Sequence, residues 1–121
     1  MQITLFQADC LYQPANCQYP HKMVITSKTD MAKLQSRDHV CAEYKNNYRS
    51  NNNFIVSDNI PMDCDNEHTE NQDEWITEEK LDAIFPDVGY ILVFSRNHMK
   101  SKDRKAARPR FHVYFPIHIT S

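Results

Sequence analysis

A single glycine, Gly89, occurs in 121 residues. Loops that cradle phosphates with backbone N–H groups need glycines at several fixed offsets, so P-loop and dinucleotide-binding chemistries are excluded. The four cysteines (Cys10, Cys17, Cys41, Cys64) form no CxxC pair, which removes zinc ribbons and dithiol redox motifs. Cys10, Cys17 and His21 match no common zinc spacing, and the cysteines read as ordinary reduced thiols. No apolar run approaches the roughly 20 residues of a membrane span. The start MQITLFQADC lacks the basic-then-apolar layout of a secretory signal, so a cytoplasmic location is expected. Internal repeats are absent, and the only compositionally biased tract is NNYRSNNN at 46–53, a loop by composition.

What is present suits one folded domain spanning 1–121. Apolar residues make up 40% of the chain and aromatics 11%, enough for a core, while a mean hydropathy of −0.70 predicts a strongly polar surface. The net charge of −2 conceals a division. Residues 58–82 carry ten acidic side chains against Lys80, and residues 96–110 carry seven basic ones against Asp103. Such a basic segment supplies the electrostatic footprint that phosphates need; the plainer use is two oppositely charged loops attracting one another.

Short apolar runs predict strands at 2–6, 22–26 and 39–44, with a helix over 27–38 capped by Ser27 or Thr29. NFIVS and NIPMDCD are extended, followed by an acidic loop and a helix at 77–85 with Thr77 as its cap and Pro86 closing it. YILVFS (90–95) reads as a central strand buried on both faces. In RFHVYFPI (110–117), Phe111, Val113 and Phe115 share one face, His112 and Tyr114 the other. The expected class is α/β (α+β): a mixed sheet flanked by helices, with a strand-helix-strand-strand unit from residue 60 onward.

The stretch DNIPMDCDNEH raises the chemical question. On a strand, residues two apart face the same way about 7 Å apart, so Asp63 and Asp65 can converge while Cys64 faces the other side. Two carboxylates about 5 Å apart repel by roughly 3 kcal/mol at an effective dielectric of 20, so a cation between them is expected. Mg²⁺ or Mn²⁺, with substrate phosphates, fits such hard oxygen donors. The alternative is turn formation and helix capping at a strand end. His112 follows a loop carrying Lys105, Arg108 and Arg110, which together can hold a triphosphate; its alternative is a core histidine bonded to a carbonyl. Lys45 and Arg49 with Tyr48, and Arg96 and Lys100, are candidate nucleic-acid contacts. Asp58, Glu67 and His68 are expected to be solvated or to lead into the helix.

IPMDCDNE, a helix, YILVFS and RPRFHVYFPI, over about residues 60–117, resemble the catalytic core of the archaeo-eukaryotic primase superfamily, the primase-polymerases of plasmids, phages and mobile elements. The resemblance implies an RRM-like strand-helix-strand-strand unit within a primase-polymerase-like core. It makes Asp63 and Asp65 the first metal-binding motif and His112 the histidine that contacts the incoming nucleotide. Arg110 stands where that family often has serine, and no Asp or Glu follows Asp103 to supply its third carboxylate. The chain is therefore expected to be an N-terminal portion with an incomplete catalytic set. The implied activity is DNA primase/polymerase-type nucleotidyl transfer from NTP or dNTP to a primer on a single-stranded DNA template. An associated helicase is an expected partner of the full-length protein. A metal-dependent nuclease and a noncatalytic nucleic-acid-binding module remain as alternatives.

Overall fold

In the computed structural model, residues 2–27, 34 and 36–120 are described, with side chains as far as 117. The helix expected over 27–38 lies largely outside the described residues. Nine strands and one α-helix are present among them: β1 (Ile3–Gln7), β2 (His21–Ile25), β3 (His39–Val40), β4 (Glu43–Tyr44), β5 (Phe54–Cys64), α1 (Glu78–Ile84), β6 (Ile91–Phe94), β7 (Lys100–Lys102), β8 (Lys105–Arg108) and β9 (Phe111–Thr120). They form a three-stranded sheet β2-β1-β3, a four-stranded sheet β4-β5-β9-β6 and a β7-β8 hairpin. The fold is α+β and dominated by strands.

The alternation in β9 decides how the layers stack. Phe111 and Val113 point to one face, where they pack with Cys64 of β5, Leu92 of β6, Tyr90 and Leu81 of α1. Tyr114 points to the other, joining Ile91 and Val93 of β6 to Ile3, Leu5 and Ile25 of the first sheet. One sheet thus has an apolar layer on each side, covered by α1 on one and by β1 and β2 on the other. Asn59 crosses between the sheets: its buried side chain donates to Thr4 O and Cys41 O, both at 3.2 Å, and to Asp58 Oδ1 at 2.9 Å. Asp58, expected to be a solvated loop residue, accepts the Thr4 N–H at 2.9 Å and ties β1 to β5.

Three expectations change. The strand at 39–44 is split at Cys41 and Ala42, so that β3 pairs with β1 and β4 with β5; the chain steps from one sheet to the other there. The expected mixed sheet is antiparallel in every pairing among the described residues. Strands β5 and β6 run parallel to one another, but β9 lies between them and is antiparallel to both. For the same reason β6, expected at the centre, ends the sheet order; its two-sided burial comes from the apolar layers above and below. The order strand, helix, strand, basic segment, strand does occur, with the basic segment folded into the β7-β8 hairpin. Thr77 caps α1, its side chain accepting the Lys80 N–H at 3.2 Å, and Glu78 and Glu79 occupy the first turn where the helix dipole favours them. No described helix is long and apolar enough to cross a membrane.

Because Ile91 is fully buried at the end of the sheet, Ile91→Ala is expected to lower the urea unfolding free energy by about 2–5 kcal/mol. Ile60→Ala, at a residue 52% exposed, should change it by no more than about 0.5 kcal/mol. Equilibrium denaturation of the two variants measures both.

Candidate functional site

The β5-β9 register places Asp63 directly opposite His112. His112 Nδ1 and Asp63 Oδ1 are 2.5 Å apart, with the two side chains 42% and 69% exposed. A pair so open to water adds little to stability, typically below about 1 kcal/mol. Its significance is positional: residues 49 apart in sequence meet where two strands end. Asp65 follows immediately beyond β5, exposed and lining a groove. Cys64, between the aspartates, faces the opposite apolar layer and is 6% exposed. Burial, together with the charges of Asp63 and Asp65, pushes its thiol pKa up.

The turn after Asp65 is held by Asn66 within it and by Arg108 and Arg110, which reach it from the end of β8 and the residue before β9. Asn66 takes a left-handed conformation (φ 55°) and is buried. Its amide donates to Ile76 O at 2.8 Å and Pro109 O at 2.9 Å, and its Oδ1 accepts the Ile76 N–H at 2.6 Å. Arg110 Nη1 donates to Asp65 O at 3.0 Å and Glu67 Oε1 at 2.9 Å. Arg108 donates through Nη1 to Asn66 O at 2.8 Å and through Nη2 to Glu70 Oε2 at 2.6 Å, with its guanidinium over the Trp75 ring at 5.0 Å. Both arginines, expected at phosphates, are almost fully buried behind this turn. Arg110 Nε and Nη2 are without a hydrogen-bond partner among the described residues. Lys105 lies 3.5 Å from Glu67 Oε2. The Arg110 hydrogen bond, with Lys105 beside it, lowers the Glu67 pKa below the usual carboxylate range.

The groove has a volume of about 840 Å³ and runs from the β1-side loops to the β7-β8 hairpin. Its lining includes six cationic residues (Arg37, Arg49, Arg96, Lys100, Lys102, Arg110) and two acidic ones (Asp38, Asp65). Asp38 spends its carboxylate on the N–H groups of Tyr12 and Gln13, both at 2.8 Å. Arg49 is held by Pro14 O and Asn16 O at 3.2 Å and lies over Tyr19. Of the five proposed nucleic-acid contacts, Arg49, Arg96 and Lys100 reach the groove; Lys45 and Tyr48 sit on the exposed Asn-rich loop and do not. His68 bonds Glu74 O at 3.1 Å, away from the aspartates.

His39 is a site residue that the sequence did not disclose. Its Nε2 is 2.6 Å from Tyr114 Oη, joining β3 to β9 on the groove wall beside His112. Burial, reinforced by the neighbouring His112 and opposed by Asp38, lowers its pKa to about 4. His39 is therefore neutral at pH 7.

Among the described residues, no group of three or more His, Cys, Asp or Glu side chains is placed to hold a metal ion. No protein-family model, curated protein or solved structure matches the chain.

The unfolded chain protonates His39 near pH 6.5 and the folded chain only near pH 4, so stability falls as pH drops through this window. The full contribution is about 3 kcal/mol. His39→Gln, which cannot titrate, is expected to lose about 2–3 kcal/mol less than the wild type between pH 7 and pH 4.5, measured by urea unfolding at both values.

Proposed function

We propose that the chain forms the nucleotide-binding part of a DNA primase/polymerase-type nucleotidyltransferase, acting on NTP or dNTP and a primer on single-stranded DNA. One observation carries this reading. Asp63 and His112 are cross-strand partners next to Asp65, at a groove whose lining is strongly cationic.

The donor chemistry fits Mg²⁺ or Mn²⁺. Asp63 and Asp65 offer hard carboxylate oxygens, and the intervening soft sulfur is directed into the core. Two protein carboxylates completed by water and substrate phosphates are how such ions are commonly held, so the lack of a third protein ligand among the described residues is compatible with the fit. When bound, the ion neutralises triphosphate charge and favours deprotonation of the primer hydroxyl. The protein's own part is to bind and orient. Asp63 engages Nδ1 of His112, which leaves Nε2 to donate a hydrogen bond to a phosphate oxygen when the imidazole is protonated. Lys100 and Lys102, exposed and with no ion pair among the described residues, are groove cations open to phosphate. They take the part expected of Arg108 and Arg110, whose guanidiniums instead fix the turn that carries Asp65.

A noncatalytic nucleic-acid-binding module is the second reading, favoured by the engagement of Asp63 with His112. A metal-dependent nuclease would use the same carboxylates with water as nucleophile. Titration of Mn²⁺ with a nucleoside triphosphate separates the first reading from the second. The wild type should bind the pair, and an Asp63→Ala, Asp65→Ala double variant should lose at least about ten-fold in affinity. Equal binding by the double variant rejects the proposed role. Incubation of labelled single strands with metal, with and without nucleotides, distinguishes extension from shortening.

A further inference from the structure

Residues 94–102, FSRNHMKSK, place an aromatic ring or a cation at every second position: Phe94, Arg96, His98, Lys100 and Lys102. All five line the groove. The alternation belongs to one connected segment, the end of β6, the following turn and β7.

Phe94 and His98 are stacked, with centroids 4.0 Å apart and planes inclined by 23°. His98 is fixed in place because its Nδ1 accepts the Arg110 N–H at 3.1 Å. The backbone beside Phe94 is fixed too, by Ser95 N–H donating to Arg110 O at 3.0 Å. Phe94 nonetheless remains 40% exposed. Across the same groove, Arg96 lies over the ring of Tyr12 at 4.9 Å, and Tyr12 is 50% exposed. The structure therefore holds two planar pairs at the groove, each with a ring still open to water, next to two lysines that have no ion pair among the described residues.

We propose that this segment is a binding track for single-stranded nucleic acid, in which bases stack on Phe94 and on the Tyr12-Arg96 pair while Lys100 and Lys102 follow the phosphates. It deepens the reading above by assigning that site's single-stranded partner to named residues, but it does not require a metal. Unpaired bases present π faces at the same intervals as charges, which is what alternating rings and cations match. Duplex bases bury those faces in the helical stack. An acidic peptide would satisfy the lysines but gain nothing from the electron-rich faces of the rings.

Fluorescence anisotropy of a labelled 12-residue oligothymidylate, in EDTA and at two salt concentrations, tests the track. The wild type is expected to bind the single strand more tightly than a duplex of equal length, with affinity falling as salt rises. Phe94→Ala should weaken binding about five- to hundred-fold. Phe94→Leu, which keeps apolar bulk but removes the ring, should weaken it in the same direction, separating stacking from a folding defect. Lys100→Ala with Lys102→Ala should reduce the slope of log affinity against log salt by about 1.4. Unchanged affinity in Phe94→Leu, or a duplex bound as tightly as the single strand, overturns the proposal. Strand binding without Mn²⁺-nucleotide binding would leave the track standing and remove the transferase reading; the converse result would remove the track alone.

Discussion

A slip of one residue between β5 and β9 would turn every side chain of one strand to the opposite face, and little of this structure would survive it. In the observed register Asp63 meets His112, and the apolar pairs Met62-Val113 and Cys64-Phe111 flank it on the ladder. Apolar burial sets this register: Phe111 and Val113 must reach the layer under α1 while Tyr114 reaches the layer under the first sheet. The aspartate-histidine pair is a product of that requirement. Its weak intrinsic attraction could not align eleven-residue β5 with ten-residue β9.

The second constraint is the burial of two guanidinium groups. Removing a charge from water costs several kcal/mol unless hydrogen bonds and an opposite charge replace the lost hydration. Arg108 obtains both from Asn66 O and Glu70, whereas Arg110 obtains them at Nη1 alone, from Asp65 O and Glu67, its Nε and Nη2 having no hydrogen-bond partner among the described residues. The acidic and basic segments are thus joined, but only in part. Glu67 and Glu70, after β5, pair with the arginines leading into β9, while Lys100 and Lys102 stay with the groove. The two readings of the charge asymmetry, mutual attraction and phosphate contact, apply to different members of the same segment.

Features governed by local periodicity were legible in the sequence. The alternation of Phe111, Val113 and Phe115 against His112 and Tyr114 gave the two faces of β9, and Thr77 before two glutamates gave the start of α1. Asp63, Asp65 and His112 could be singled out because their residue types and order are chemically informative. The sheet order was not legible, since an apolar run such as YILVFS is the same whether its strand lies at the centre or at the end of a sheet covered on both faces. Nor could the fate of Arg108 and Arg110 be read, because a guanidinium in a basic run looks identical whether it meets a phosphate or a carboxylate brought from forty residues away. His39 escaped notice for a similar reason: its partner Tyr114 is 75 residues distant. A ring or cation at alternate positions of 94–102 was visible, but without the groove it had no meaning.

Cys64 gives the aspartate-bearing strand a chemical clock. Its thiol is buried beside Phe111 in the apolar layer that α1 covers, and its raised pKa keeps it protonated, so the closed sheet presents no nucleophile to an alkylating reagent. Reaction therefore counts only those molecules in which β5 has parted from β9 or α1 has lifted from the layer between them. The position between Asp63 and Asp65 makes the rate of that modification a direct measure of how often the two carboxylates lose their common support.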